Sequence, residues 1–215
     1  LIVETLLRLK RYDVSANDKW KAAIGRHLET IERTPRYLEL VKTFGMREAI
    51  PELLELTISL PTDTMGVNAV SMLLDFKQSV LLKKVIHGED NARALAVAQA
   101  LSLGGHPARS DILRALIIDA QLSRQIRNIA IKGVGTTIQG QRYLIDLLTT
   151  GRIAEELMFG TGTALFASSD PDIVKSAKEL VTLPTTANAT PLPPVSELIR
   201  IPGDPVAGKV IFANK

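Results

Sequence analysis

Apolar and polar positions alternate with a helical period along most of the chain. In SDILRALIIDA (110–120), Ile112, Leu113, Leu116 and Ile117 fall at the spacing that keeps side chains on one helix face. Ser110 stands where an N-cap accepts one of the first free amides. Just upstream, ALAVAQALSLGG (94–105) is rich in strong helix formers and runs into Gly104-Gly105, a C-terminal stop. The HPAR between them is too short for anything but a tight helix–helix turn. The predicted element is therefore a helical hairpin.

The hairpin recurs. PRYLELVKTFG (35–45) precedes REAIPELLELTIS (47–59), and TDTMGVNAVSMLLDF (62–76) precedes KQSVLLKKVIHG (77–88). SRQIRNIAIKGVG (123–135) precedes GQRYLIDLLTTG (140–151), and AEELMFGTGTALFASS (154–169) precedes DPDIVKSAKELVTL (170–183). In the last unit Asp170 suits an N-cap and Pro171 the first helical position. The first helices end near Phe44, Phe76, Leu103, Gly135 and Ala167, which gives steps of 32, 27, 32 and 32 residues. One hairpin cannot bury both of its apolar faces, so a run of them stacks each on its neighbours.

Over about residues 18 to 183 this pattern resembles the HEAT-repeat family, with units shorter than the ~40 to 47 residues common there, as in compact bacterial HEAT-like repeats. The resemblance implies an all-α fold, a right-handed α-solenoid of HEAT-like hairpins spanning 1–183. Residues 1–34 are less regular and read as a partial unit. The resemblance is almost silent on activity.

After Leu183 the period dissolves. Pro184, Pro191, Pro193 and Pro194 mark residues 184–202 as an extended linker. The chain then closes on GDPVAGKVIFANK (203–215), which reads as a helix cut short. Gly203-Asp204, three residues, Gly208, three residues and Phe212 resemble the opening of a class I cytochrome c domain. In that family a Gly-Asp turn leads into the first helix, a small residue at the place of Gly208 admits a second helix, and an aromatic at the place of Phe212 packs beside the haem. The haem-binding Cys-x-x-Cys-His begins just after the equivalent of Lys215. The resemblance thus implies haem c in a larger protein, and no haem attachment residue within these 215. Repeats, linker and cytochrome-like opening together resemble the C-terminal part of large bacterial secreted dehydrogenase-like proteins. That implies a periplasmic or otherwise exported setting and a role in electron transfer. Both ends of the chain read as cuts through a longer polypeptide.

Composition narrows the chemistry. Hydrophobic residues make up 46% and aromatic residues only 4%, which favours many small helix contacts over one aromatic core. There is no cysteine, which excludes disulfides, thiolate metal ligands and a thiol nucleophile within these residues. No apolar run approaches the ~18 to 20 residues of a membrane span. His27, His87 and His106 stand near helix ends in different units, without a carboxylate pair at ligand spacing. The glycines of GVGTTIQGQ (133–141) and FGTGTALF (159–166) follow no strand and lack the Gly-Lys-Ser/Thr ending of a phosphate loop, so they read as packing glycines. Glu89-Asp90 and Glu155-Glu156 read as acids at helix starts. Trp20, Phe44, Phe76, Phe159 and Phe166 are expected in the core, and Tyr143 beside Arg142 is a weak stacking candidate.

Charge adds one site. Net charge is +3, but residues 123–153 carry Arg124, Arg127, Lys132, Arg142 and Arg152 against Asp146 alone. Residues 154–183 carry five acids against two lysines. Adjacent blocks of opposite sign read first as alternating solvated faces, and the basic block is beside that a candidate patch for an anionic partner. The expectation is a non-catalytic interaction segment with a protein partner and no cofactor of its own. The alternatives are a nucleic-acid binder of the HEAT-like DNA glycosylase type, whose affinity would fall steeply with salt, and a free-standing protein-binding module.

Overall fold

The structure, a computed structural model, describes Thr5, residues 17–31 and residues 33–181. The chain divides into two units, Leu1–Thr182 and Leu183–Lys215. The second lies outside the described residues, and with it the linker and the cytochrome-like segment.

Among the described residues the fold is all-α, with eleven α-helices and no strand. They are α1 (Asp18–Thr30), α2 (Pro35–Phe44), α3 (Ile50–Ser59), α4 (Thr64–Asp75), α5 (Ser79–Ile86), α6 (Asn91–Leu103), α7 (Arg109–Ile118), α8 (Arg124–Val134), α9 (Ile138–Thr149), α10 (Met158–Phe166) and α11 (Pro171–Leu180). Single 3-10 turns, Arg47–Ala49 and Glu155–Leu157, lead into α3 and α10. From α2 onward the ten helices follow one another as five successive pairs, at the places the hydrophobic period predicts, and α6 with α7, α8 with α9 and α10 with α11 are in close contact within their pairs.

Local chemistry sets the starts. Asn17, Thr34, Asp63, Asp90, Ser123, Thr137 and Asp170 each accept an amide hydrogen from the first turn of the helix they precede. Pro171 occupies the first turn of α11, where its missing N–H costs nothing. The expected capping role of Ser110 fails. α7 begins at Arg109, its N-cap position is Ala108 rather than Ser110, and no side chain caps it there. The reason is His106, whose Nδ1 accepts from the Ala108 N–H at 3.1 Å and whose carbonyl accepts from the Arg109 N–H. The turn is already closed when the chain reaches Ser110.

Packing runs between near neighbours. Every second helix meets the next: α2 with α4, α4 with α6, α6 with α8, and α8 with α10. The intervening helices fill in behind them, as α3 on α4, α7 on α8 and α9 on α11. The most enclosed helix is α6, which touches α3, α4, α5, α7 and α8. Its buried Ala94, Ala98 and Ala100 let so many neighbours approach. At Gly133 the α8 backbone presses on α6, where a Cβ would stand 2.8 Å from the Ser102 Cα. The core is aliphatic: Leu40, Leu53, Leu56, Leu73, Leu101, Leu113, Leu116 and Ile131 are fully buried. Each contributes about 1.5 to 3 kcal/mol of transfer free energy.

Side chains bolt successive hairpins together. His106 Nε2 lies 3.2 Å from Asp75, His87 Nε2 lies 3.0 Å from Asp119, Arg142 reaches Asp170 at 3.3 Å and Ser168 donates to Gln141 at 2.7 Å. The partners are 31, 32, 28 and 27 positions apart, which is about one repeat.

Two aromatic expectations are corrected. Phe159 is 67% exposed and Phe166 is 37% exposed, so neither belongs to the core. The inward stripe of this segment is Leu157, Thr161 and Leu165, four residues apart. Phe159, two residues after Leu157, falls on the opposite side of the helix. Trp20, Phe44 and Phe76 are partly buried and do pack on the core.

Candidate functional site

Two grooves lie between helices that come first in their hairpins. The smaller, about 420 Å³, separates α2 from α4. The larger, about 710 Å³, separates α8 from α10 and takes in part of the basic block.

The wall on α8 follows from helix geometry. Ile126, Arg127, Ala130, Ile131 and Val134 face inward. Arg124, Asn128 and Lys132, each four residues after the last, form a stripe along the groove. The facing wall on α10 is Phe159, Gly160, Thr163 and Ala164. Its small residues leave the space open, and Phe159 stands at the edge. The base is closed by Gln141, whose Nε2 donates to the Gly135 carbonyl at 2.9 Å while its Oε1 accepts from Ser168. Beside it, Thr136 donates to the Gly133 carbonyl and accepts from Arg109. Arg109 also donates to the Leu101 and Ser102 carbonyls at the end of α6, and burial pushes its guanidinium below the ordinary value.

Electrostatically the groove has one sign. No carboxylate lines it, and Arg124 and Lys132, both exposed, form no ion pair among the described residues. One polar atom is left over: the Asn128 Oδ1 is buried without a hydrogen-bond partner. It lies against Gly160, in the space a Cβ there would take. An acceptor held in this way is an unmet demand for a donor.

The five basic residues have separate fates. Arg124 and Lys132 come together in the groove. Arg127, only 6% exposed, is structural: its Nε donates to the Ile117 carbonyl at 3.0 Å and its Nη1 pairs with Glu156 at 3.1 Å. Arg142 is exposed but pairs with Asp170, the residue that caps α11. Arg152 is exposed in the turn after α9. Tyr143 is half-buried beneath Arg114, whose guanidinium carbon stands 4.8 Å from the ring centre. Gly203, Asp204, Gly208 and Phe212 lie outside the described residues.

The histidines serve helix ends. His27 Nδ1 lies 3.4 Å from the Thr30 hydroxyl, and His87 Nδ1 lies 2.8 Å from the Lys83 carbonyl. Among the described residues no three His, Asp or Glu side chains gather to hold a metal ion. No helix there is long and apolar enough to cross a membrane. The sequence pattern singles out neither Asn128 nor Thr163, and it places Phe159 in the core rather than at a groove edge. The helical register of Leu157, Thr161 and Leu165 is the signal that points to Phe159. No known protein family, no curated protein and no solved structure matches this chain.

Proposed function

We propose that the chain is a non-catalytic helical-repeat module, a right-handed α-solenoid of HEAT-like hairpins, that holds or docks other proteins. The carrying observation is the one-repeat separation of the ties between hairpins, Asp75 with His106, His87 with Asp119, Arg142 with Asp170 and Gln141 with Ser168. Such ties repeat a single local interface rather than converge on one centre. They also engage side chains that could do chemistry. His87, His106 and Arg127 are each committed to a neighbouring hairpin.

A truncation tests the architecture. Ending the chain after Gly151 removes the fifth hairpin. A module of stacked units keeps its helical circular dichroism per residue and unfolds cooperatively at a lower urea midpoint. A closed core would lose cooperative structure altogether, and the reading would fall.

The setting we propose is a larger exported dehydrogenase and cytochrome c protein, in which this module spaces the redox domains. This rests on Gly203, Asp204, Gly208 and Phe212 following a Pro-rich stretch. A gene continuing past Lys215 without Cys-x-x-Cys-His would end the electron-transfer setting and leave the module intact. A track for nucleic acid has less support, since Arg127 is buried and Arg142 is paired.

A further inference from the structure

We propose that the groove between α8 and α10 docks an extended acidic segment of a partner protein, with carboxylates four residues apart and an apolar residue midway. The inference rests on the reading of the chain as a protein-binding module and names the partner chemistry of one groove.

Charge complementarity selects the partner. Among the described residues Arg124 and Lys132 are exposed and form no ion pair, and no acid lines the groove to neutralise them. The other groove differs: its acids Glu39, Asp63 and Asp75 are engaged by Arg36, by the Met65 amide and by His106. That groove keeps the opposite sign, with three acids against Lys42, so of the two only the α8/α10 groove suits an acidic partner.

Spacing selects the conformation. Arg124 and Lys132 are eight residues apart on one helix, about 12 Å along its axis. Residues four apart on an extended chain point the same way and stand about 13 Å apart. Acids at the first and fifth positions of such a segment therefore reach both cations. The third position points into the groove midway, over the small surface of Gly160 and Ala164 and beside the exposed Phe159. An apolar side chain there covers Phe159. The Asn128 Oδ1, midway between the cations, is buried against Gly160 without a donor and adds an acceptor to the polar stripe of this wall.

The test uses the full chain and a fluorescein-labelled peptide, Glu-Ser-Leu-Ser-Glu flanked by glycines, followed by anisotropy at low salt. The neutral peptide with Gln at both ends is expected to bind about tenfold more weakly or less. Arg124→Glu with Lys132→Glu is expected to cost at least about tenfold in affinity for the acidic peptide. Phe159→Ser is expected to cost a smaller factor, and Arg152→Glu, outside the groove, none. All four positions are exposed, so unchanged circular dichroism and urea midpoints separate lost binding from lost folding.

Equal binding of acidic and neutral peptides, binding of neither up to millimolar concentration, or no response to charge reversal overturns the proposal. Tighter binding of a 15-base-pair duplex than of the peptide, lost in the same double variant, also overturns it and assigns the groove to nucleic acid. If peptide binding fails while the Gly151 truncation still unfolds cooperatively, the module reading survives without this partner.

Discussion

The groove between α2 and α4 and the groove between α8 and α10 are built alike and charged in opposite ways. Each lies between the leading helices of successive hairpins. Lys42 sits in the last turn of α2 as Lys132 sits in the last turn of α8. Four residues before them stand Leu38 and Asn128, each lining its groove. There the likeness ends. Leu38 and Met72 fill the first groove, while Gly160 and Ala164 leave the second open and nearly twice as large. The first carries Glu39, Asp63 and Asp75, each with a hydrogen-bond partner. The second carries Arg124 and Lys132, which form no ion pair among the described residues. The buried positions maintain the hairpin, and the exposed positions decide what it can hold.

If stability is a sum over neighbouring hairpins, the two grooves can be broken separately. Leu165 on α10 and Leu73 on α4 are both fully buried. Either one changed to Ala is expected to cost about 2 to 5 kcal/mol. By amide hydrogen exchange, Leu165→Ala should deprotect α10 and α11 and spare α2 to α4, and Leu73→Ala should do the reverse. Uniform deprotection in both variants would mean one indivisible core.

A smaller loss follows from seating α8. Gly133→Ala gains helix propensity but drives a methyl into the Ser102 backbone and the Leu113 side chain. The net expectation is a loss of about 1 to 3 kcal/mol in urea denaturation. Arg127 sharpens the contrast further, because its charge is structural while that of Arg124 is not. Arg127→Met leaves the Ile117 carbonyl without its donor and frees the half-exposed Glu156. It should cost about 1 to 2 kcal/mol and leave acidic-peptide affinity unchanged. Loss of peptide binding at undiminished stability would reverse the two roles.

The helices were legible because burial has a period. Ile112, Leu113, Leu116 and Ile117 face inward as their spacing requires, and Asp90 and Asp170 cap as their positions suggest. Legibility failed where residue type was read without register. Arg127 was counted with four surface cations, yet it falls between Ile126 and Ala130 on the apolar stripe of α8. Phe159 was assigned to the core for its apolar neighbours, yet it lies off the stripe of Leu157 and Leu165. Ser110 lost its cap to a turn closed by His106, a competition no local pattern announces. The groove itself was out of reach of sequence, since its walls, from Lys132 to Phe159, are 27 or more residues apart and only the packing of α10 on α8 brings them together.

The seam between the two halves carries the smallest effect and a distinct signature. His87 at the end of α5 meets Asp119 at the end of α7, joining the second hairpin to the third. The Lys83 carbonyl, and then Asp119, raise the His87 pKa above its ordinary value. The Gln121 amide, and then His87, hold the Asp119 carboxyl below its own. A raised histidine stabilises fully below its unfolded pKa of about 6.5, and that share fades as pH rises through the folded value. A lowered carboxylate stabilises above its unfolded pKa of about 3.9, and that share fades as pH falls through the folded value. The pair is therefore worth most between about pH 4 and 6.5 and weakens on either side. Both side chains are partly exposed, at 42% and 28%, so solvent screening keeps the effect below about 1 kcal/mol. The comparison is the urea midpoint at pH 6 and pH 8.5, for the native chain and for His87→Gln. The native chain should lose stability relative to the variant as pH rises. A constant gap between them would mean that His87 holds Asp119 without charge, and that the seam is indifferent to pH.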